Sequence, residues 1–316
     1  MMEEHGLVSI LIPMYNHERY VVDCLESVKA QTYNRIEVLI CDDCSVDNSY
    51  LVAKAWCDQN KGCFANCLVM ENETNLGVTK NLNRLLQYAK GEYVKLLASD
   101  DMLMENGISD LVKVMEDYNY EFVHANAVRV TEKATFPLKK KQMKGNVYHH
   151  VPDGGKHLLD TLYERNFITA NTVLLRKNVF EKYGFFSEEA TYEDWEYWLR
   201  IASRGGKLGT SNMVVAAYRE TNISASHFLR TEAEKRRFMV IIQELEQMLI
   251  SYSKYTDKNM DGFWNNTLST ALRQHNDEVI QLVMEKAKRI KLTQRVKLLL
   301  YKLHLYDFAY GLFGTK

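Results

Sequence analysis

Proline is scarce, with three residues in 316. That favours long uninterrupted helices, because each proline removes a backbone donor and breaks the helical ladder. Long apolar runs are also missing. No stretch approaches the about eighteen apolar residues that a membrane span needs. Met1 to Gly6 carry neither the basic nor the apolar segment of a secretory signal. An excess of either charge is absent too: forty Lys and Arg face forty-one Asp and Glu, for a formal charge of -1. Whole-chain electrostatics therefore do not point to a nucleic-acid partner, and none is expected. Cysteine is confined to the first fifth of the chain, at Cys24, Cys41, Cys44, Cys57, Cys63 and Cys67. A framework stapling the whole fold would be spread more widely, so free, buried thiols in a reducing cytoplasm are expected. Cys41-Asp42-Asp43-Cys44 has C-x-x-C spacing, but acids between the thiols raise their pKa values, against a redox or zinc role.

What is present is ordinary globular composition, 46% hydrophobic and 26% charged, at a length that allows one large domain or two. Val8 to Met14 is a short apolar run that reads as a buried strand. Tyr20, Val21, Cys24, Leu25 and Val28 then recur at helical spacing. Ile36 to Cys41 is a second strand, and Ser45 is expected to cap the helix that carries Leu51, Val52 and Ala55. Cys67 to Met70 is a third strand. Val78, Leu82, Leu85, Leu86 and Ala89 make a further helical stripe, with Gly91 as its C-cap. Tyr93 to Ala98 is the fourth strand. Alternation of this kind implies an α/β fold with a mainly parallel, Rossmann-like sheet flanked by helices.

Ligands in such sheets sit beyond the carboxyl ends of the strands. Tyr15 and Asn16 follow the first strand, Asp42 and Asp43 the second, and Asp100 and Asp101 the fourth. A dinucleotide site would need G-x-G-x-x-G after the first strand, where the chain reads Met14-Tyr15-Asn16-His17-Glu18-Arg19; a G-x-x-x-x-G-K-[ST] loop is missing as well. Without a glycine cradle, acids can hold a diphosphate through a divalent metal.

Residues 131–157 are polar and irregular, with Lys139-Lys140-Lys141 and Asp153-Gly154-Gly155, and read as a connection over the site. Ala170 to Arg176 and Val214 to Tyr218 read as strands. Between them Glu193 and Asp194 open a helix, where the macrodipole favours acids. Helical periodicity dominates beyond Arg230. Leu292, Val296, Leu299, Leu300 and Leu303 form one stripe flanked by Lys288, Lys291, Arg295 and Lys302, with Tyr306, Phe308, Tyr310, Leu312 and Phe313 further on. An amphipathic helix of this kind suits either packing on the domain or an anionic membrane surface.

Ser9-Ile10-Leu11-Ile12-Pro13-Met14-Tyr15-Asn16, Asp42-Asp43-Cys44-Ser45, Asn75-Leu76-Gly77 with Asn83, Ser99-Asp100-Asp101, and Glu193-Asp194 with Trp198-Leu199-Arg200 occur in order. At these residues the sequence resembles the family 2 glycosyltransferases from Val8 to about Tyr218. The resemblance implies a GT-A fold and a catalytic domain over 1–229; the helical C-terminal region over 230–316, read from its periodicity, lies outside the match. It also implies an inverting transfer from a nucleotide-diphospho-sugar, a UDP-sugar, to a saccharide or lipid-linked saccharide acceptor in bacterial surface polysaccharide synthesis. That location is cytoplasmic, on the inner face of the cell membrane if the tail binds lipid.

By the same resemblance, Tyr15 lies against the nucleobase, Asp43 accepts from the base N–H, and Lys80 assists the phosphates. Pro13, Asn16, Asp42, Asn75, Gly77 and Arg200 complete the donor site. Asp101 ligates Mn²⁺ or Mg²⁺, with Asp100 nearer the ribose or the metal shell; Ser99 stands where the family's first aspartate is expected. Asp194 is the expected general base, and Glu193 positions it or the donor sugar. Two other readings share these acids. A metal-dependent sugar nucleotidyltransferase would not need the Glu193-Asp194 helix, and a non-catalytic GT-A-like subunit would not need to keep every carboxylate.

Overall fold

The computed structural model describes residues 6–147, 158–190, 192–221, 231–303 and 306. The chain forms two compact units, residues 1–158 with 167–224 and residues 159–166 with 225–316.

In the first unit, β1 (Val8–Met14), β2 (Ile36–Asp42), β3 (Asn66–Glu71) and β4 (Tyr93–Leu96) pair in parallel in the order β3-β2-β1-β4. Ile10 sits opposite Val38 on one side and Lys95 on the other. Every residue of β2 is buried, which is why the run is apolar throughout rather than alternating. Helices α1 (Val21–Lys29), α2 (Ser49–Asn60) and α3 (Val78–Tyr88) connect these strands.

The acid near the start of β2 has a structural task. Glu37 accepts from Ser9 Oγ and from the amides of Lys90 and Gly91, so it satisfies the turn that enters β4. Gly91 is not the helix cap that its position suggested, since α3 ends at Tyr88 with Ala89 as C-cap. A Cβ there would lie 2.6 Å from Leu7 O and Ser9 N, so the close approach to β1 demands glycine. Ser45 likewise does not cap α2, whose N-cap is Asn48.

Beyond β4 the sheet becomes mixed. β5 (Met102–Leu103), β6 (Phe122–Thr131), β7 (Met143–Val147), β8 (Leu174–Arg176) and β9 (Leu208–Glu220) extend it in the order β4-β8-β6-β9-β5, with β7 on β6. β8 runs antiparallel to both β4 and β6, while β6 and β9 are parallel, so β4, β6 and β9 end on the same edge. Only the second half of the expected strand at 170–176 is extended; Ala170–Thr172 is a 3₁₀ turn. The mid-chain connection includes β7, and its Asp153-Gly154-Gly155 segment lies outside the described residues.

α4 (Gly107–Tyr118), α6 (Asn178–Tyr183) and α7 (Glu193–Ser203) complete this unit. Helix α7 is anchored by aromatics. Trp198 stacks on Phe122 at 5.6 Å between centroids, and Tyr197 meets Phe186 at 4.6 Å. The thiol expectation fails at one pair. Cys57 of α2 and Cys67 of β3 are disulfide-bonded, with Cα atoms 6.0 Å apart, because α2 packs on β3. Cys24, Cys41, Cys44 and Cys63 are free.

The second unit contains α8 (Glu232–Tyr252), α9 (Asp261–Arg273), α10 (Asp277–Lys286) and α11 (Leu292–Lys302). It also takes up nearly all of α5 (Leu158–Glu164). Thr231 opens α8 with a capping box to Glu234. No helix among the described residues is long and apolar enough to cross a membrane.

Candidate active site

The loops after β1 and β2 are sewn together by short polar side chains. Asn16 adopts φ 55, a left-handed conformation that asparagine tolerates better than most residues. Its N–H donates to Ser45 Oγ at 2.8 Å, and its Oδ1 accepts from the Val46 N–H at 2.9 Å. Ser45 in turn donates Oγ–H and N–H to the two oxygens of Asp42, at 2.6 and 2.8 Å. Asp42 therefore shapes its own turn. Tyr15, beside this lattice, stays 44% exposed, and Pro13 lies in β1 opposite Cys41.

Asp43 is equally engaged. It accepts from Asn72 Nδ2 at 2.7 Å and from the Leu76 and Gly77 amides at 2.8 Å each. Gly77, at φ 85, is the N-cap residue of α3, so the carboxylate also meets the positive end of that helix. Three bonds leave about one lone-pair position of a carboxylate's four. Asp43 thus holds the Asn75-Leu76-Gly77 loop with most of its capacity. Asn75 and Lys80 are exposed on that loop and on the first turn of α3. Asn83 joins α3 to the segment after α6, exchanging hydrogen bonds with the Phe186 backbone.

The two acids after β4 point in different directions. Asp101 is 3% exposed; its Oδ1 accepts from the Arg219 N–H at 2.9 Å and its Oδ2 from Asn171 Nδ2 at 2.7 Å. Burial and the adjacent Asp100 charge hold Asp101 well above the usual carboxylate range. Each oxygen accepts one hydrogen bond from the protein, so Asp101, the expected principal metal ligand, is held in place by β9 and the 170–172 turn. The Arg219 main chain and side chain close over the turn: Arg219 Nε donates to Asp100 O at 2.7 Å.

Asp100 faces the other way. No described residue donates a hydrogen bond to its carboxylate, and His17 Nε2 lies 4.0 Å from Oδ2. His17 Nδ1 is 2.8 Å from Ser99 Oγ, so this histidine spans the β1 and β4 loops. Sequence reading passed over His17, although it directly follows Tyr15-Asn16 at a strand end. It also passed over Asn171, Arg219 and Lys95. Lys95 lies wholly buried in β4 and donates to Asn171 O at 2.5 Å and to Leu96 O at 2.9 Å. Burial pushes its pKa down to about 7. The order is legible in retrospect: Lys95 fixes the 170–172 turn, Asn171 fixes Asp101, and Asp101 leaves Asp100 outward.

A divalent cation fits this arrangement through Asp100, a carboxylate that accepts no hydrogen bond from the described residues. No cluster of three or more metal-ligating side chains occurs among the described residues. Such a cation would therefore take most of its oxygens from diphosphate and water, as magnesium-type ions commonly do.

Glu193 and Asp194 form a second cluster, in the first turn of α7. Asp194 Oδ1 accepts from the Trp195 N–H at 2.6 Å. Burial and the Asp194 charge push Glu193 up to about 7. Arg200, expected at the donor, instead closes the far end of the helix. Its guanidinium pairs with Glu196, lies over the Tyr197 ring, and donates to the carbonyls of Tyr183 and Phe185 at 3.1 and 2.7 Å. A fork of donors beside turn carbonyls finds its partners locally.

Residues 9–184 match the family described as glycosyl transferase family 2, more than half of the chain. A relative in Escherichia coli, named UDP-Glc:alpha-D-GlcNAc-diphosphoundecaprenol beta-1,3-glucosyltransferase WfaP, is 29% identical over 224 residues, 70% of this chain and 81% of its own. Glycosyltransferase GlyG of Streptococcus pneumoniae is 33% identical over 120 residues, 38% of each chain, so that match spans well under half of its length. Two solved structures share the fold. S. aureus TarS 1-349 in complex with UDP-GlcNAc aligns at TM-score 0.58 and 18% identity, covering 95% of this chain and 88% of that one. A mannosyltransferase from Pyrobaculum calidifontis, in complex with GDP-Man and Mn2+, aligns at 0.57 and 15% identity over 99% and 89%. The strand-end acids, the acid pair opening α7 and the extent of this match lead to one assignment: the chain belongs to glycosyltransferase family 2.

Proposed function

We propose that the protein is an inverting glycosyltransferase that moves a sugar from a UDP-sugar to a hydroxyl of a saccharide carried on a lipid diphosphate, in bacterial surface polysaccharide synthesis. The observation that carries the reading is the Asp100 carboxylate, which meets no donor among the described residues and lies beside His17 where the parallel strands end. The E. coli relative, whose name specifies UDP-Glc and a diphosphoundecaprenol-linked acceptor, supports the choice of donor and acceptor. Catalysis is assigned to the first unit, which contains all the candidate residues.

The roles follow from what transfer requires. Tyr15 offers an exposed ring to the nucleobase, and Asp43 has one lone-pair position left for a base N–H. Asp100 would hold Mn²⁺ or Mg²⁺, which supplies positive charge against the departing diphosphate. Lys80, exposed on the first turn of α3, pairs with a phosphate in this reading. Asp194 takes the acceptor hydroxyl proton as the oxygen forms its bond to the anomeric carbon. The bond from that carbon to the diphosphate breaks, and its electron pair leaves with UDP. One displacement inverts the centre. A proton held on Glu193, whose pKa lies at about 7, removes a second negative charge from beside Asp194.

The test is a panel of UDP- and GDP-sugars with a lipid-diphosphate saccharide acceptor, read by nucleoside diphosphate release and by NMR of the new linkage. Release of UDP with an inverted anomeric centre is expected. In a parallel assay with UTP and a sugar 1-phosphate, pyrophosphate release without UDP release from the panel would instead indicate nucleotidyl transfer, and a retained configuration would remove Asp194 from its role.

A further inference from the structure

Helix α11 presents an apolar face that nothing among the described residues covers. It packs on α9 through Leu298 and Gln294, the latter donating Nε2–H to Ser269 Oγ at 2.6 Å. At roughly 100° per residue, these two positions lie nearly opposite Leu292, Val296, Leu299 and Leu303, which fall within an arc of about 60°. Those four are 77%, 50%, 57% and 56% exposed. A stripe of four aliphatic side chains on the outside of a docked helix is unusual, since single exposed hydrophobes are common but aligned ones mark a contact surface.

The charge beside the stripe identifies what it meets. From residue 286 to residue 306 the chain has seven Lys and Arg and no Asp or Glu. Arg295 and Lys302 lie about 60–80° to one side of the stripe on the same helix. A second copy of this chain is a poor occupant, because an isologous contact would bring like basic flanks together. An anionic lipid surface complements both parts: the aliphatic side chains enter the headgroup boundary, and the long basic ones reach phosphate.

We infer that α11 is a peripheral membrane-binding element, seated parallel to an anionic bilayer on Leu292, Val296, Leu299 and Leu303. The inference does not depend on the donor, the acceptor or the catalytic residues proposed above.

The experiment is co-sedimentation of the full chain with vesicles of phosphatidylcholine alone or mixed with phosphatidylglycerol. Binding to the mixed vesicles at low salt, weakened at high salt and absent with phosphatidylcholine alone, is expected. Arg295→Glu with Lys302→Glu should weaken partitioning by at least about thirtyfold, each basic residue near an anionic surface being worth about fivefold. Combined Leu292→Ser, Val296→Ser and Leu299→Ser should abolish binding while thermal unfolding stays unchanged, since the replaced side chains are already exposed. Failure of the wild-type chain to bind mixed vesicles at low salt overturns the inference. So does unaltered binding by both variants. Self-association in sedimentation velocity that the triple variant abolishes, with no vesicle binding, would assign the face to a second copy and overturn it equally.

Discussion

Replacing Glu193 with glutamine should make the protein more stable at alkaline than at acidic pH relative to wild type. The side chain ionises at an ordinary 4.5 when unfolded and at about 7 in the fold, raised by burial and by Asp194. The folded state therefore holds its proton more tightly, so wild-type stability falls as pH climbs from about 4.5 to about 7 and levels off above. At about 1.4 kcal/mol for each pH unit of that interval, the full loss is about 3 kcal/mol. Glutamine is neutral throughout and escapes it. Urea unfolding at about pH 5 and pH 8, followed through the fluorescence of Trp195 and Trp198 on the same helix, compares the two proteins. The free-energy difference between variant and wild type should shift by about 2 to 3 kcal/mol in favour of the variant across that range. An unchanged difference would mean that Glu193 ionises normally, and the proposed division of labour with Asp194 would fall.

Asp100→Asn should weaken metal-dependent UDP binding by about tenfold or more in calorimetry, through loss of the charged oxygen ligand. Asp101→Asn should cost about 1–3 kcal/mol of stability, because an amide N–H₂ would face the Arg219 or Asn171 donor, yet leave that binding intact; the reverse pattern would restore Asp101 as ligand. Asp194→Asn should lower turnover by about 10²–10⁴ without changing UDP affinity, and near-normal turnover would move the base to Glu193. Cys57→Ser should cost about 3 kcal/mol under oxidising conditions and little under reducing ones. Equal stability of the two proteins in oxidising buffer would show that the Cys57–Cys67 bond does not constrain the unfolded chain.

The parallel half of the sheet could be read from the chain because β1 and β2 are continuous apolar runs and their turns carry local signals. β6 was silent. Its ten residues include His124 and Asn126, both buried, which break the run that marks an interior strand. The acids at the strand ends could also be located, but not their orientation. Whether Asp100 or Asp101 turns outward is decided by Asn171 and Arg219, 70 and 118 residues away in sequence. Arg200 misled for the opposite reason: its partners are near, and a cation in a motif looks the same whether it faces phosphate or its own turn. The apolar stripe of α11 was visible as a period, and only the packing of Leu298 and Gln294 shows which side of the helix is left over.

The placement of residues 159–166 has a consequence for how the chain is made. Leu162 and Tyr163 are fully or almost fully buried, and Glu164 O accepts from Asn266 Nδ2, a residue synthesised about a hundred positions later. At roughly 5–20 residues per second, α5 waits about 5–20 seconds on the ribosome before its partners in α9 emerge. Over that interval Leu162 and Tyr163 stand uncovered by the later helices of their own unit. Deletion of the C-terminal helices would make that exposure permanent, so the two units are bound together in biogenesis by eight residues that belong to one and are encoded inside the other.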